Sequence, residues 1–200
     1  MNVGEAIVKR RSIQDFDPNH TMTQAEIHEL IQASILSPSA FNIQHWRFVH
    51  VSDAELRQQM RNIAWNQAQV TDASALIMVC MDIKAWDKQP ERYCANTPKE
   101  RQEGVIAATR GTYANNEQLQ RDEAFRSASL ASMTLILKAQ EMGYESCALG
   151  GFDFDKAAEI IQLPDDHAIC MMITLGKALN PAFPRAGQLP VEDVLFINTF

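Results

Sequence analysis

The stretch from about Asp122 to Met142 constrains the fold more than any other part of this chain. It has the spacing of a helix, and its middle, LASMTLILKAQ, is apolar nearly all round. A helix that is hydrophobic on every side is usually buried by other elements. Gly143, just beyond it, is typical of a helix C-terminus. We therefore predict one long central helix with the rest of the chain packed around it.

Three apolar runs predict strands: WRFVHV, ALIMVCMD and AICMMITLG. The last two are continuous, which is typical of strands that are covered on both faces. Capping boxes predict helix starts at Thr23–Glu26, Ser52–Glu55 and Thr97–Glu100, the third with proline at the first helical position. Helices outnumber strands and do not alternate with them regularly. We predict an α+β domain, a small mixed sheet surrounded by helices around the long central one.

The 200 residues fit one domain of ordinary size, and no linker or internal repeat divides them, so we expect a single domain over residues 1–200. The tail, about 179–200, contains three prolines and cannot be regular helix. It nevertheless ends in large apolar residues: Val194, Leu195, Phe196, Ile197 and Phe200. We predict an extended C-terminal arm whose apolar end covers either this domain or a second subunit.

Composition excludes several classes of partner. A net charge of −7 argues against a nucleic-acid or anionic-membrane surface, since phosphates are bound by clustered Lys and Arg. The longest clean apolar run, Ala75–Met81, is too short to span a bilayer, and the N-terminus lacks the apolar core of a signal peptide. The four cysteines form no CxxC pair and resemble small buried hydrophobes in a reducing compartment. We expect a cytoplasmic protein.

The sequence offers no catalytic constellation of its own. GxGxxG, P-loop, GxSxG and HExxH motifs are all absent, and the five histidines lack metal-ligand spacing. We therefore assign no catalytic side chain and no metal site. If the protein is an enzyme, its reactive group comes from a cofactor.

Three clusters remain as candidates, and each has a structural alternative. Lys9–Phe16 carries arginines whose planar fork suits phosphate, although basic residues also favour a helix C-terminus. Ser37–Phe48 carries hydroxyl and amide groups that suit a polyhydroxylated chain or that cap their own loop. Cys147–Phe152 ends in paired glycines, which admit a flat ligand close to the backbone or form a simple tight turn.

Taken in order, these clusters resemble the flavin-dependent nitroreductase family. An RRSxRxF-like opening corresponds to Arg10, Arg11, Ser12, Gln14 and Phe16. A PSSxNxQPWRF-like segment corresponds to Pro38, Ser39, Ala40, Asn42, Gln44, His45, Trp46, Arg47 and Phe48. Asn66–Ser74 resembles the family's Asn-containing loop, Gly150–Asp153 its GGFD-type turn, and Leu189-Pro190 its C-terminal RLP motif. The match runs nearly from end to end.

The resemblance implies a nitroreductase-like fold and a homodimer with one FMN in each of two interface pockets. By this analogy, Arg10, Arg11 and Ser12 hold the phosphate and ribityl end of FMN. Gln14, Asn66 and Gln69 reach the polar edge of the ring system. The backbone at Leu149, Gly150 and Gly151 approaches the reactive flavin nitrogen. The same flavin is contacted from the partner subunit by Pro38, Ser39, Ala40 and Asn42, and the C-terminal arm wraps the other subunit.

Four positions depart from the family pattern. Gln14 stands where Lys or Arg is usual beside the flavin, Ala40 replaces a serine, and His45 replaces a proline. Gln188 stands where a phosphate-binding Arg is common before Leu-Pro. Arg185, three residues earlier, is a substitute for it.

The implied activity is electron transfer from NAD(P)H to a small electron-poor acceptor, such as a nitroaromatic or a quinone, with ping-pong kinetics. Two alternatives stay open at this stage. One is a flavin carrier or sensor without catalysis. The other is a related reductive activity, such as that of a dehalogenase, an enoate reductase or a flavin-cleaving enzyme. The choice of acceptor and of NADH or NADPH depends on the region between Lys84 and Gln120.

Overall fold

Seven α-helices surround one four-stranded sheet in the computed structural model, which describes all 200 residues. The helices are α1 (Val3–Lys9), α2 (Gln24–Ser34), α3 (Ala54–Ile63), α4 (Gln69–Asp72), α5 (Lys99–Tyr113), α6 (Glu117–Glu141) and α7 (Phe154–Ile160). The strands are β1 (Trp46–His50), β2 (Ala75–Asp82), β3 (Glu145–Leu149) and β4 (His167–Gly176). The predicted α+β class is confirmed.

The central helix is α6, and it begins earlier than its apolar part suggested. Asn116 caps it by accepting a hydrogen bond from the Leu119 N–H, and Gly143 follows its end with a φ of 77°. Its buried face includes Ala128 and Leu135, which join the largest core cluster against α2 and β2. The prediction of a long central helix is confirmed.

The sheet has the order β1-β2-β4-β3, and each of its three strand pairs is antiparallel. β2 is buried along its whole length, with Ile77 and Val79 facing α6 and with Leu76 and Met78 facing the second core cluster. The expectation of a mixed sheet is therefore wrong. A continuous apolar run indicates that both faces of a strand are covered, but it does not indicate whether the neighbouring strands are parallel or antiparallel. The only parallel pairing is an isolated bridge between Ser12 and Ser146.

Of the three helix starts predicted from capping boxes, one is found at the predicted residue and two are displaced by one residue. At α2, the Thr23 hydroxyl accepts from the Glu26 N–H and the Glu26 carboxylate accepts from the Thr23 N–H. At α3 the cap is Asp53 instead of Ser52, because the Asp53 carboxylate accepts from two successive N–H groups. At α5, Pro98 keeps an extended ψ of 135° at the cap position, so the helix starts one residue later than predicted.

The C-terminal arm is extended, apart from a short 3-10 turn at Val191–Asp193. Its start is tied to the domain, where the Leu179 N–H donates to the Asp15 carbonyl. Its large apolar side chains are exposed from Leu189 to Phe200, so the arm does not bury them on its own domain. The assignment of residues 1–200 to one domain stays a prediction.

Two further expectations about the chain have a structural answer. All four cysteines are free, and Cys80, Cys94 and Cys147 are buried, as their apolar neighbours indicated. None of the helices combines the length and the apolar character that crossing a bilayer would require.

Candidate functional site

The basic segment after α1 runs beside β3 and presents alternate residues outward. Ser12 pairs with Ser146, and the Ile13 N–H donates to the Ser146 carbonyl at 3.0 Å. Ile13 is buried against Phe16, so the extended backbone turns Ser12 and Gln14 towards solvent. Strand-like pairing thus places the hydroxyl and the amide on one exposed face.

The arm returns to this segment and completes a pocket there. Arg11 donates through Nη2 to the Phe183 carbonyl, and Arg185 donates through Nη2 to the carbonyls of Ile7, Val8 and Arg10 at 3.2–3.3 Å. Arg185 therefore satisfies the last carbonyls of α1 while its cationic group lies beside Arg10. The pocket has a volume of about 350 Å³ and is lined by Ser12, Ile13, Gln14, Asp15 and Asn180–Phe183.

Two of the predicted phosphate ligands, Ser12 and Arg10, influence the pKa of the Cys147 thiol on β3. Burial raises the pKa of its thiol, while a hydrogen bond from Ser12 and the positive charge of Arg10 act in the opposite direction. The backbone bridge to Ser146 holds Ser12 beside β3, and the Arg10 carbonyl accepts from Arg185. Together with Arg11 and Arg185, Arg10 makes this end of the strand locally cationic although the chain carries a net charge of −7.

The predicted amide residues meet the glycine pair at the other end of β3. The Asn66 Oδ1 accepts from Arg61 Nε at 2.8 Å, which leaves the Asn66 amide N–H groups free to donate. Gln67 Nε2 donates to the Gly151 carbonyl at 2.9 Å, and Gln69 Nε2 donates to Gln67 Oε1 at 3.0 Å. Gln69 is buried, so Gln67 is the residue that contacts the glycine turn. The sequence did not single it out.

The two glycines differ in what surrounds them. A Cβ on Gly150 would meet no atom within 4 Å, whereas a Cβ on Gly151 would lie 2.5 Å from Cζ3 of Trp65. Gly150 therefore faces open space, and Gly151 is covered by the indole ring. Leu149 is buried in the core, so it offers only its backbone. The sequence analysis did not predict this contact of Trp65 with the glycine turn. The only indication of it in the sequence is that Trp65 directly precedes the predicted ligand Asn66.

The surface along β3, from Arg10 and Ser12 to Gly150, is the candidate groove, and β3 sets its length. Ser146, next to Ser12, and Gly150 are four residues apart, a distance of about 13 Å at about 3.3 Å per strand residue. The cationic end suits a phosphate dianion, and the glycine end suits a planar ring with amide-like edges. The donor set and the open space at Gly150 are therefore compatible with a long ligand that is anionic at one end.

The second predicted loop, from Pro38 to Asn42, lies away from this groove in the single chain. Ser39 Oγ accepts from the Gln44 N–H at 3.0 Å, and Asn42 Nδ2 donates to the Tyr93 carbonyl at 2.9 Å. Ser37 Oγ lies 2.6 Å from Thr134 Oγ1 of α6. The loop thus caps itself, as one of its two interpretations proposed, and none of its hydrogen bonds reaches the groove. Pro38 and Ala40 adjoin these residues on the same surface loop.

His45 is built into the core behind the same loop. Its Nδ1 lies 3.2 Å from Ser127 Oγ, its Nε2 has no partner, and burial lowers its pKa to about 4. The ring is therefore neutral near pH 7. It fills space between β1 and α6 and does not face the groove.

Comparison with protein families identifies the architecture. The model of the Nitroreductase family matches residues 7–177. The chain belongs to the nitroreductase family. It is therefore a nitroreductase-type oxidoreductase, as the resemblance in its motifs implied.

Individual relatives cover almost the whole chain. Protein DrgA of Synechocystis sp. is 47% identical over 203 residues, which span 99% of this chain and 97% of DrgA. YodC of Bacillus subtilis, named as an NAD(P)H nitroreductase, is 31% identical and covers 96% of this chain and 97% of its own. A nitroreductase structure from Exiguobacterium sibiricum, in complex with FMN, superposes with a TM-score of 0.92 at 29% identity, covering 99% and 98% of the two chains.

Proposed function

We propose that this nitroreductase is a homodimeric FMN enzyme that transfers electrons from NAD(P)H to an electron-poor acceptor such as a nitroaromatic or a quinone. The observation that carries the proposal is the surface along β3, with Arg10 and Ser12 at one end and the open backbone of Gly150 at the other. FMN supplies the redox chemistry when bound, taking two electrons and a proton from NAD(P)H and passing them to the acceptor. Donor and acceptor use one cleft in turn, which gives ping-pong kinetics.

The residues along the groove match the parts of FMN. Arg10, Arg11 and Ser12 hold the phosphate, since guanidinium groups and hydroxyls bind its oxygens by charge-assisted hydrogen bonds. Local positive charge, to which Arg185 contributes, favours the dianion despite the acidic chain. Gln14 and Asn66 supply neutral amides for the polar ring edge, and Gln69 supports it indirectly, because its amide donates to the Gln67 side chain beside Gly151. Glycine at 150 leaves room for the ring beside the backbone.

A second copy of the chain is the partner that fits the exposed apolar surface. Large apolar side chains are exposed on α1, after α2 and on α6, and they are Val3, Ile7, Leu36, Leu130 and Met133. A groove between the same three helices is lined by Val3 among them, together with Ala33 of α2 and Leu137 of α6. Exposed apolar patches of this kind mark interfaces. The bond between Ser37 and Thr134 places the Pro38–Asn42 loop at the edge of this surface, where it can enter the partner's site.

The exposed apolar end of the arm supports the same assembly. The apolar side chains of residues 189–200 do not pack on their own domain. These residues continue from Phe183 and Arg185, which are hydrogen-bonded to Arg11 and Arg10. A twofold dimer pairs the same surface on both copies, so each arm can cover the other subunit. Four free cysteines are consistent with a cytoplasmic location.

Anaerobic mixing with NADH or NADPH tests the activity directly. The yellow absorbance of the purified protein should bleach within seconds and return when a quinone or a nitroaromatic is added. A flavin that stays oxidised under both nucleotides supports the carrier or sensor alternative. Bleaching followed by reoxidation only with an activated alkene or an aryl halide supports a relative with another reductive activity. Where the flavin turns over, parallel double-reciprocal plots are the signature of one cleft used by donor and acceptor in turn.

A further inference from the structure

One arginine holds both the backbone and the side chain of a predicted flavin ligand. The Asn66 N–H donates to the Arg61 carbonyl at 3.0 Å, and the Arg61 Nε donates to the Asn66 Oδ1 at 2.8 Å. Asn66 has a φ of 58°, a left-handed conformation that asparagine tolerates better than most residues. Arg61 thus fixes the position of Asn66 from the last turn of α3.

This contact decides which side of the Asn66 amide is free. A guanidinium group carries only donors, so the Asn66 atom that meets Arg61 is the carbonyl oxygen. The two amide N–H groups of Asn66 then point away from Arg61. The neighbours of Asn66 on both sides reach the glycine turn, because the Trp65 indole covers Gly151 and the Gln67 amide donates to the Gly151 carbonyl. At the glycine end of the groove, Asn66 therefore offers donors and not an acceptor.

The positive charge of Arg61 is only partly neutralised by its other partners. Its Nη1 donates to Thr71 Oγ1 at 2.8 Å and lies 3.7 Å from the Asp72 carboxylate. That ion pair is longer than a normal hydrogen bond, and the Asp72 side chain is 38% exposed, so solvent weakens it. Arg61 can therefore still polarise the Asn66 amide, since a hydrogen bond from a charged donor is stronger than a neutral one.

We infer that Arg61 is a positioning residue that makes Asn66 a fixed, polarised hydrogen-bond donor for the reduced cofactor. The inference rests on the FMN site of the proposed function. Two-electron reduction leaves negative charge on the polar edge of the flavin ring, where Asn66 is expected to bind. A fixed donor stabilises this charge, whereas a freely rotating amide can present its oxygen instead. Arg61 acts on the reduction potential through Asn66 and needs no contact of its own with the flavin.

The midpoint potential of the bound flavin tests this role without turnover. Potentiometric titration is carried out on the FMN-loaded protein. Arg61→Ala should weaken reduced FMN about 3- to 10-fold more than oxidised FMN, because the donor of the flavin contact loses its charged support. For a two-electron couple, this ratio corresponds to a midpoint that is about 15–30 mV lower. Asp72→Asn removes the charge that opposes Arg61 and should raise the midpoint.

Arg57→Ala is the matched control, because Arg57 also connects α3 to the α4 segment but makes no hydrogen bond to Asn66. Its Nε donates to the Val70 carbonyl at 3.0 Å, and its Nη2 donates to the Ala73 carbonyl at 2.6 Å. Loss of these bonds should lower the melting temperature and leave the midpoint unchanged. An equal fall of the midpoint in Arg57→Ala and Arg61→Ala would overturn the inference, because it would reflect a general loosening of these helices.

Substitution of Asn66 tests whether the effect passes through its amide. In an Asn66→Ala background, Arg61→Ala and Asp72→Asn should each leave the midpoint where Asn66→Ala alone puts it. A shift in this background as large as that in the wild type would overturn the inference, since Arg61 would then act on the flavin directly.

Two further results separate the inference from folding and from the proposed function. An unchanged midpoint in FMN-loaded Arg61→Ala would overturn the inference. If Arg61→Ala does not fold or does not retain FMN, the conservative Asp72→Asn variant decides, and a midpoint that stays or falls in it contradicts the inference. Wild-type protein that does not bind FMN would instead contradict the proposed function itself.

Discussion

Gly150→Ala adds one methyl group in a place where the chain itself has no atom within 4 Å. Gly143 is the one glycine with positive φ, so the backbone at Gly150 accepts alanine without strain. Such a substitution stabilises a protein by about 0.4–1 kcal/mol, because it lowers the entropy of the unfolded chain. For about 200 residues this raises the melting temperature of the flavin-free protein by roughly 1–4 °C.

The same methyl group should oppose FMN, since it enters the space that the proposed site gives to the ring. Overpacking a well-fitted contact costs about 1–3 kcal/mol, which weakens FMN by about 5- to 150-fold. Quenching of FMN fluorescence measures the affinity, and thermal unfolding of the flavin-free protein measures the stability. The opposite signs of the two effects are the diagnostic result.

Gly104→Ala in α5 is the matched control, because its Cβ also meets nothing within 4 Å. Replacing glycine in a helix interior should stabilise by about 1 kcal/mol and leave FMN binding unchanged. The reasoning is refuted if Gly150→Ala binds FMN as tightly as the wild type, since the open space would then not belong to the cofactor. A loss of stability in the flavin-free variant would show that the space is not open.

Four further changes test separate parts of the account. Arg10→Ala should weaken FMN by about 10- to 100-fold, the value of a charge-assisted hydrogen bond, and hardly affect riboflavin; equal losses for both would make Arg10 structural. Gln14→Lys should raise the flavin midpoint by roughly 20–30 mV in potentiometric titration, because a charged donor exceeds a neutral one by about 1–1.5 kcal/mol; an unchanged or lower midpoint contradicts this. Deletion from Pro190 onward should abolish both the dimer and flavin binding in size-exclusion chromatography, and a yellow monodisperse monomer would rule out the proposed role of the arm. Tyr144→Phe removes the hydroxyl that, with Thr23, lowers the Glu26 pKa from 4.5 to about 2. Because the pKa of Glu26 is depressed in the folded protein, the wild type should be more stable than Tyr144→Phe by the full amount above pH 4.5. This difference in the free energy of unfolding should vanish as the pH falls towards 2. Denaturant titrations that find the difference independent of pH would contradict the prediction.

Local sequence patterns correctly predicted the elements that are determined by residues close together in the chain. The apolar middle of α6, the capping box at Thr23 and the buried strand β2 each depend on neighbours within a few residues. The amide loop and the glycine pair were placed in one site by the family resemblance, and the bond from Gln67 to Gly151 brings them together.

Long-range pairing accounts for what the sequence did not predict. β3, with the sequence ESCAL, has no strong apolar pattern and is a strand because β4 pairs with it. The contact of Trp65 with Gly151 joins segments more than eighty residues apart. Arg185 caps α1 because the arm returns there, which nothing near residue 185 indicates. In each case the partner lies far along the chain, beyond the reach of a local pattern.

Native mass spectrometry of the purified protein measures the central claim most directly, namely that FMN binds in sites shared by two copies. The account predicts one dominant species, a dimer of two 22.5 kDa chains that carries two FMN molecules in total. Collisional dissociation of that dimer should release the flavins together with the separation of the chains, because each site draws residues from both. A stable monomer that retains FMN, or a dimer that carries none, would contradict the account.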